Sequence, residues 1–254
     1  MMSNDALHSS EILKKALFSL PQGMAVSSSH LKGFGVSRQL AHHYVQKGWL
    51  TQLGSGYYLR AGDKLTKTGA VSSLQANGVK VHIGGKSALA FKGFNHYLGI
   101  GGETLTLYGH GTRKLPEWFQ EQFRASLSNS VLFDEQDSLA ERPCVSRLDN
   151  DPNAPFVSEP ERAVLELLDF VPKQQTLEEA KQIMEGLYSL RSKKMQELLK
   201  ACKKIKVKRL FWNVAEELKL PVLKKIDLAD IDFGSMSDYT LQGEKTLVLR
   251  NPHG

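Results

Sequence analysis

Cysteine is scarce in this 254-residue chain: Cys144 and Cys202 stand far apart and form no Cys-x-x-Cys pair. That excludes a disulfide scaffold and a thiolate zinc knuckle, and it suits a reducing compartment, so a cytoplasmic protein is expected. No apolar run approaches the ~20 residues of a membrane span. The opening MMSNDALHSS lacks the basic-then-apolar order of a secretory signal. Catalytic and metal-binding constellations are missing too. No Ser-His-Asp or Cys-His set can be assembled from local context. The acidic stretches DEQD (Asp134–Asp137) and DND (Asp149–Asp151) read as solvated loops. His42 and His43 are adjacent, so on a helix they diverge by about 100°. Neither has a His, Asp, Glu or Cys three or four residues away. No catalytic residue, metal or cofactor is expected, and the chain is read as a non-enzyme.

Two glycine-rich stretches resemble nucleotide loops but lack what such loops require. HIGGKS (His82–Ser87) follows a strand and opens a helix, but a phosphate-binding loop needs glycine where Lys80 stands. GIGGE (Gly99–Glu103) lacks the helix that a dinucleotide fingerprint requires.

Hydrophobic residues make up 41% of the chain and charged residues 24%, enough apolar surface for a folded core. The net charge of +6 favours an acidic partner. The charge is uneven: residues 1–65 hold seven Lys/Arg against three Asp/Glu, and residues 191–225 hold twelve against three.

The pattern predicts a helix from Glu11 to Leu20, a short extended piece at MAV, and a short helix capped within Ser27–Ser29. A helix follows from Ser37 to Lys47, closed by Gly48. Trp49–Leu53 and Tyr57–Arg60 flank Gly54-Ser55-Gly56 as a hairpin. Helices at 67–75 and 87–94, strands at VKVHI, TLTLYG, SVLF and PCVSRL, and a short helix at LPEWFQEQF form a mixed block ending near Leu148. DNDPNAPFVSEP reads as a linker. Helices then run through EPERAVLELLDFV, TLEEAKQIMEGLYSL, KMQELLKACKK and KRLFWNVAEELKL, and YTLQGEKTLVLR closes as a hairpin turning at Gly243. The expected fold class is α+β: an N-terminal winged helix-turn-helix (1–65), then a region 66–254 with a mixed α/β part (66–150) and a mainly helical part (151–254).

On a helical wheel the Ser37–Lys47 helix is two-faced. Val36, Leu40, Ala41, Tyr44 and Val45 share one side, and Arg38, Gln39, His42, His43 and Gln46 share the other. The polar side suits a duplex, because Arg pairs bidentately with guanine and Gln with adenine in the major groove. Helix, turn, helix and hairpin is the order of a winged helix-turn-helix, with the second helix in the groove. Ser37 places a helix N-terminus near a phosphate. Ser55 at the wing tip, with Arg60 and Lys64 beside it, would meet the backbone. The candidate DNA-binding set is therefore Ser37, Arg38, Gln39, His42, His43, Gln46, Ser55, Arg60 and Lys64. A second candidate, a surface for an acidic partner, gathers Lys200, Lys203, Lys204, Lys206, Lys208 and Arg209.

Three segments carry a family resemblance. VQKGWLTQLGSGYYLRAGD leads a Gly-Trp-Leu stretch into a Gly-x-Gly-x-Tyr wing. VHIGGKSALAFKGFNHYLGIGGETLTLYG holds Gly-Gly, Ser-Ala-Leu, Gly-Phe and His-Tyr in order. SEPERAVLELLDFVP, MEGLYSLR and LLKACKKIKVKRLFWNVAEEL form a helical C-terminal part. In this order they resemble the AbiEi antitoxins of type IV toxin–antitoxin and phage abortive-infection systems, over nearly the whole chain. The resemblance implies two activities. The winged helix would bind inverted repeats in double-stranded promoter DNA and repress its own operon. The C-terminal region would neutralise a nucleotidyltransferase-type toxin, with no stable complex required. The alternative is a stand-alone transcriptional regulator whose C-terminal domain senses a ligand or oligomerises. A third reading is an RNA-binding adaptor using residues 191–225.

Overall fold

A computed structural model describes residues 22–94, 104–109, 111–134, 136, 138–242 and 246–254. The expected Glu11–Leu20 helix, the GIGGE stretch, Glu135 and Asp137 of DEQD, and the Gly243 turn lie outside these residues.

Serine hydroxyls start the first helices. Strand β1 (Val26–Ser27) runs into helix α1 (Ser28–Gly33), where the Ser27 hydroxyl accepts the His30 amide at 3.2 Å. Ser37 does the same for α2 (Arg38–Gln46), accepting from the Leu40 amide at 3.2 Å. Each cap satisfies a backbone donor the helix leaves open. Gly48, in the left-handed region at φ +71°, turns the chain out of α2. The hairpin β2 (Leu50–Gly54) and β3 (Tyr57–Arg60) follows, and β1 adds to its far side in the order β1-β3-β2. Leu31, Val36, Ala41, Tyr44, Leu50 and Tyr58 close a small apolar core beneath these elements.

A second, larger core begins with α3 (Lys67–Ala76), capped by Thr66. It is built on five strands: β4 (Val81–Ile83), β5 (Leu105–Gly109), β6 (Ala125–Ser128), β7 (Val145–Arg147) and β8 (Phe156–Ser158). Their order is β6-β5-β4-β8-β7, with β5–β6 and β4–β8 parallel and the other two pairs antiparallel. α4 (Gly85–Phe91) follows β4, and α5 (Glu117–Gln122) lies between β5 and β6. Helices α6 (Pro160–Asp169), α7 (Leu177–Glu185), α8 (Ser192–Ala201) and α9 (Ile205–Glu217) come next. Every residue of α6 from Glu161 to Leu168 is buried, which makes it the central helix, packed by α4, α8 and α9. A hairpin of β9 (Tyr239–Leu241) and β10 (Leu247–Leu249) lies against α9. The fold is α+β, as expected.

Two expectations are corrected. SVLF is not a strand: Leu132 and Phe133 are buried as loop residues, and the Leu132 carbonyl accepts from the Lys203 amide at 2.8 Å. The strand is instead ASLS at 125–128, an edge strand whose four residues are all half-buried and too polar to announce themselves. DNDPNAPFVSEP is not a linker either. It contains β8, whose Val157 is fully buried and whose neighbours are β4 and β7. The mixed part (66–150) and the helical part (151–254) therefore share one core and one sheet.

Candidate nucleic-acid interface

The apolar side of α2 is packed inward, with Tyr44 at 0% and Ala41 at 1% exposure and Leu40 and Val45 half-buried. The opposite side is open: Ser37, Arg38, Gln39, His42, His43 and Gln46 are all exposed. Burial of Tyr44 and Ala41 fixes the rotation of the helix, so the polar face is held outward rather than merely permitted there. Gln46 Nε2 lies 3.2 Å from His42 Nε2, one turn along. In the neutral imidazole this pair forms with the amide donating, which leaves the amide oxygen of Gln46 and the Nδ1–H of His42 available. Arg38 stands at the first helical position, beside the open N-terminal amides, where the helix dipole adds to its charge.

The hairpin is anchored rather than free-standing. Ser28 donates its amide to the Gly56 carbonyl at 2.8 Å and its hydroxyl to the same oxygen at 3.1 Å. On the other side, Trp118 of α5 packs on the strand. A Cβ built on Gly54 would lie 2.8 Å from the Trp118 Cβ, so only glycine fits. The Tyr57 and Trp118 rings sit 4.9 Å apart. Burial at this contact pushes the Tyr57 hydroxyl above its usual pKa. Ser55, between the two glycines, is exposed at the tip. Lys64 is also exposed.

Arg60 does not flank the tip. It pairs with Leu50 at the opposite end of the hairpin, and its guanidinium donates to the Asp63 carboxylate at 3.1 and 2.9 Å. Its reach toward a phosphate would cost that ion pair. Sequence reasoning missed this partner although Asp63 stands three residues on, and it missed Trp118, for which no local signal exists.

In the second basic stretch the six cations do not form one free patch: some are buried and the exposed ones face acids. Lys208 and Arg209 are buried at 3% and 1% exposure. Arg209 donates to the carbonyls of Phe233, Ser235, Ser237 and Leu249, tying α9 to the C-terminal hairpin. Lys206 donates to the carbonyls of Asp169 and Val171 at 2.8 and 2.9 Å. Lys204 pairs with Asp169 at 2.7 Å, Lys203 with Asp134, and Lys200 with Asp230. Their acids come from distant parts of the chain, so a local charge count could not reveal the neutralisation.

The HIGGKS turn carries its own anion. Gly84 caps α4, and the Gly85 amide donates to Glu166 Oε2 at 3.0 Å. A Cβ on Gly84 would strike that oxygen at 2.4 Å. Glu166 is fully buried and accepts three further bonds: from His82 Nε2 at 2.9 Å, Ser158 Oγ at 2.8 Å and Arg162 Nε at 2.7 Å. Burial opposes its charge, but these donors and the Arg162 charge outweigh it and hold its pKa below the usual carboxylate value. Burial dominates at His82 and lowers its pKa, so the imidazole is neutral, donating to Glu166 and accepting from Arg142 at 3.0 Å. The seat a phosphate would need is filled by a carboxylate, which makes this network structural. Among the described residues no His, Cys, Asp and Glu group could hold a metal ion, and no helix is long and apolar enough to cross a membrane.

Residues 9–100 match the family profile described as "Transcriptional regulator, AbiEi antitoxin N-terminal domain". Residues 102–244 match that described as "Transcriptional regulator, AbiEi antitoxin, Type IV TA system". No curated protein matches the chain. Among solved structures, the RV2827C protein from Mycobacterium tuberculosis is similar in fold, with a TM-score of 0.59 at 12% identity, over 92% of this chain and 87% of that one.

Proposed function

The chain belongs to the AbiEi antitoxin family, transcriptional regulators of type IV toxin–antitoxin systems, and from that premise we propose two activities for it. The first is sequence-specific binding to inverted repeats in the promoter of its own operon, through a winged helix-turn-helix formed by the region 1–65. The carrying observation is the exposed polar face of α2 opposite an apolar one packed on the small core. Arg38, Gln39, His42 and Gln46 face the major groove, with His43 at its edge, while Ser37, Ser55 and Lys64 meet phosphate. Arg60 joins them only by releasing Asp63. The separate small core under α1, α2 and the hairpin supports a domain boundary near residue 65. The second activity is neutralisation of a nucleotidyltransferase-type toxin by the region 66–254, without a cofactor and with no stable complex required.

A mobility-shift titration of the full chain against its upstream promoter tests the first activity. Binding should be lost with scrambled repeats, and an equal affinity for both DNAs would reject sequence-specific recognition. Co-expression with the neighbouring toxin gene tests the second. Growth rescue by an Arg38→Ala/Gln39→Ala chain that no longer binds the promoter would separate neutralisation from repression. Failure of the wild-type chain to rescue favours the stand-alone regulator instead. The RNA-adaptor reading used residues 191–225; pairing or burial of the 200–209 cations weighs against it, and a mobility-shift comparison of promoter DNA with RNA decides it.

A further inference from the structure

We propose that the cleft between α1 and α3 is a binding site for a nucleoside monophosphate. The cleft encloses about 630 Å3, within the range of ~300–1,000 Å3 usual for small-ligand sites. One wall comes from β1, α1 and the turn after it, including His30 and Phe34. The opposite wall comes from α3, β7 and β8, including Arg147 and Phe156. It therefore opens where the small and large apolar cores meet.

The lining selects the ligand by charge and shape. Among the described residues that line it, Arg147 is the only permanently charged side chain and none is a carboxylate. The Arg147 guanidinium lies 4.2 Å over the Phe156 ring and donates Nη1 to the Ala154 carbonyl at 2.6 Å. The ring contact and the Ala154 bond hold the guanidinium in place in the lining, and the N–H groups not used by Ala154 are donors of the kind that pair with phosphate. Across the cleft, Phe34 offers an aromatic surface, with the His30 ring against it at 5.3 Å. A base can stack there regardless of its identity. The rest of the polar lining is hydroxyl and amide, such as Ser29, Asn77 and Asn153, neutral groups that match ribose and base edges. Inorganic phosphate alone would leave most of this volume unfilled.

Occupancy would bear on the turn after α1, whose Phe34 also packs against the core under α2. A change in operator affinity on ligand binding follows from that contact, and this consequence alone rests on the DNA-binding reading above.

The test is calorimetric titration of the full chain, without DNA, with AMP, GMP, CMP and UMP, and with adenosine and inorganic phosphate as separate controls. At least one monophosphate should bind with Kd below about 1 mM, and adenosine and phosphate about tenfold or more weaker. Arg147→Gln should weaken binding by a similar factor. Ser29→Trp, which fills the cleft from an exposed rim position, should abolish it while leaving the ligand-free unfolding midpoint near that of the wild type. No monophosphate binding in that range, binding of inorganic phosphate as tight as that of the nucleotide, or binding unchanged in both variants overturns the proposal. Because the titration contains no DNA, a failure to bind the operator does not affect its result.

Discussion

Replacing Glu166 by glutamine changes one atom in a site with no spare room. Oε1 accepts from His82 and Arg162, and Oε2 accepts from Gly85 and Ser158. Whichever way the amide is turned, its NH2 meets at least one fixed donor: His82 and Arg162 on one side, and the Gly85 amide on the other, where only the Ser158 hydroxyl can turn to accept. Arg162, 1% exposed, also loses the counter-charge of Glu166, while its bond to the Pro143 carbonyl and its contact with the Phe133 ring do not replace that charge. Breaking a buried charge pair from one side costs about 3–5 kcal/mol, a large share of a typical total of roughly 5–15 kcal/mol. For a chain of this size that is a fall of roughly 6–20 °C in melting temperature. The assay is urea unfolding followed by far-UV circular dichroism at pH 7. The pH dependence gives a second readout. His82 has a lowered pKa in the folded state, so below its ordinary value of 6.5 the unfolded chain takes up a proton that the folded chain refuses. Stability is therefore complete above pH 6.5 and declines below it, by up to about 1.4 kcal/mol per pH unit. His82→Gln should remove that part of the slope. Glu166, whose pKa is held down in the folded state, adds a later loss as pH falls below 4.5. A Glu166→Gln variant within about 1 kcal/mol of wild type, or a slope unchanged in His82→Gln, would refute the reasoning.

Arg38→Ala should weaken operator binding by ~1–3 kcal/mol and relax preference at one base position if the guanidinium reads guanine; an unchanged affinity by fluorescence anisotropy removes Arg38 from the interface. Operator affinity should fall steeply with salt, with a log–log slope set by the phosphates neutralised, and a flat salt titration argues against phosphate contact altogether. Gly54→Val should cost about 1–3 kcal/mol of stability by driving a side chain into Trp118, measured by thermal melting; a neutral result would mean the hairpin is not docked on α5. Lys203→Ala should leave RNA and DNA binding at wild-type levels, since its charge is already matched by Asp134. A drop in either mobility shift would restore the second basic surface.

Local rules made most elements legible. Serine caps at 27 and 37, the left-handed glycine at 48 and the alternating stripe on α2 are signals carried by a few neighbouring residues, and each lies at its expected position. The polar face of α2 was legible for the same reason: helical periodicity alone decides which residues share a side. What failed was whatever depended on distant partners. β8 was hidden because three residues between proline-rich flanks carry no periodicity, and its place between β4 and β7 exists only once the sheet is assembled. Arg209 and Lys208 looked like surface charge until the fold placed backbone carbonyls around the one and buried the other.

Sequence alone, then, determined where α2 begins, where it stops and which of its sides is polar, because those features arise from contacts within four residues. Only the tertiary structure decided which charges remain available. Lys200, Lys203 and Lys204 meet acids 30 or more residues away, and the seat at Gly85 is filled by a carboxylate 81 residues further on. Electrostatic energy depends on distance and burial in space, and neither is ordered along the chain.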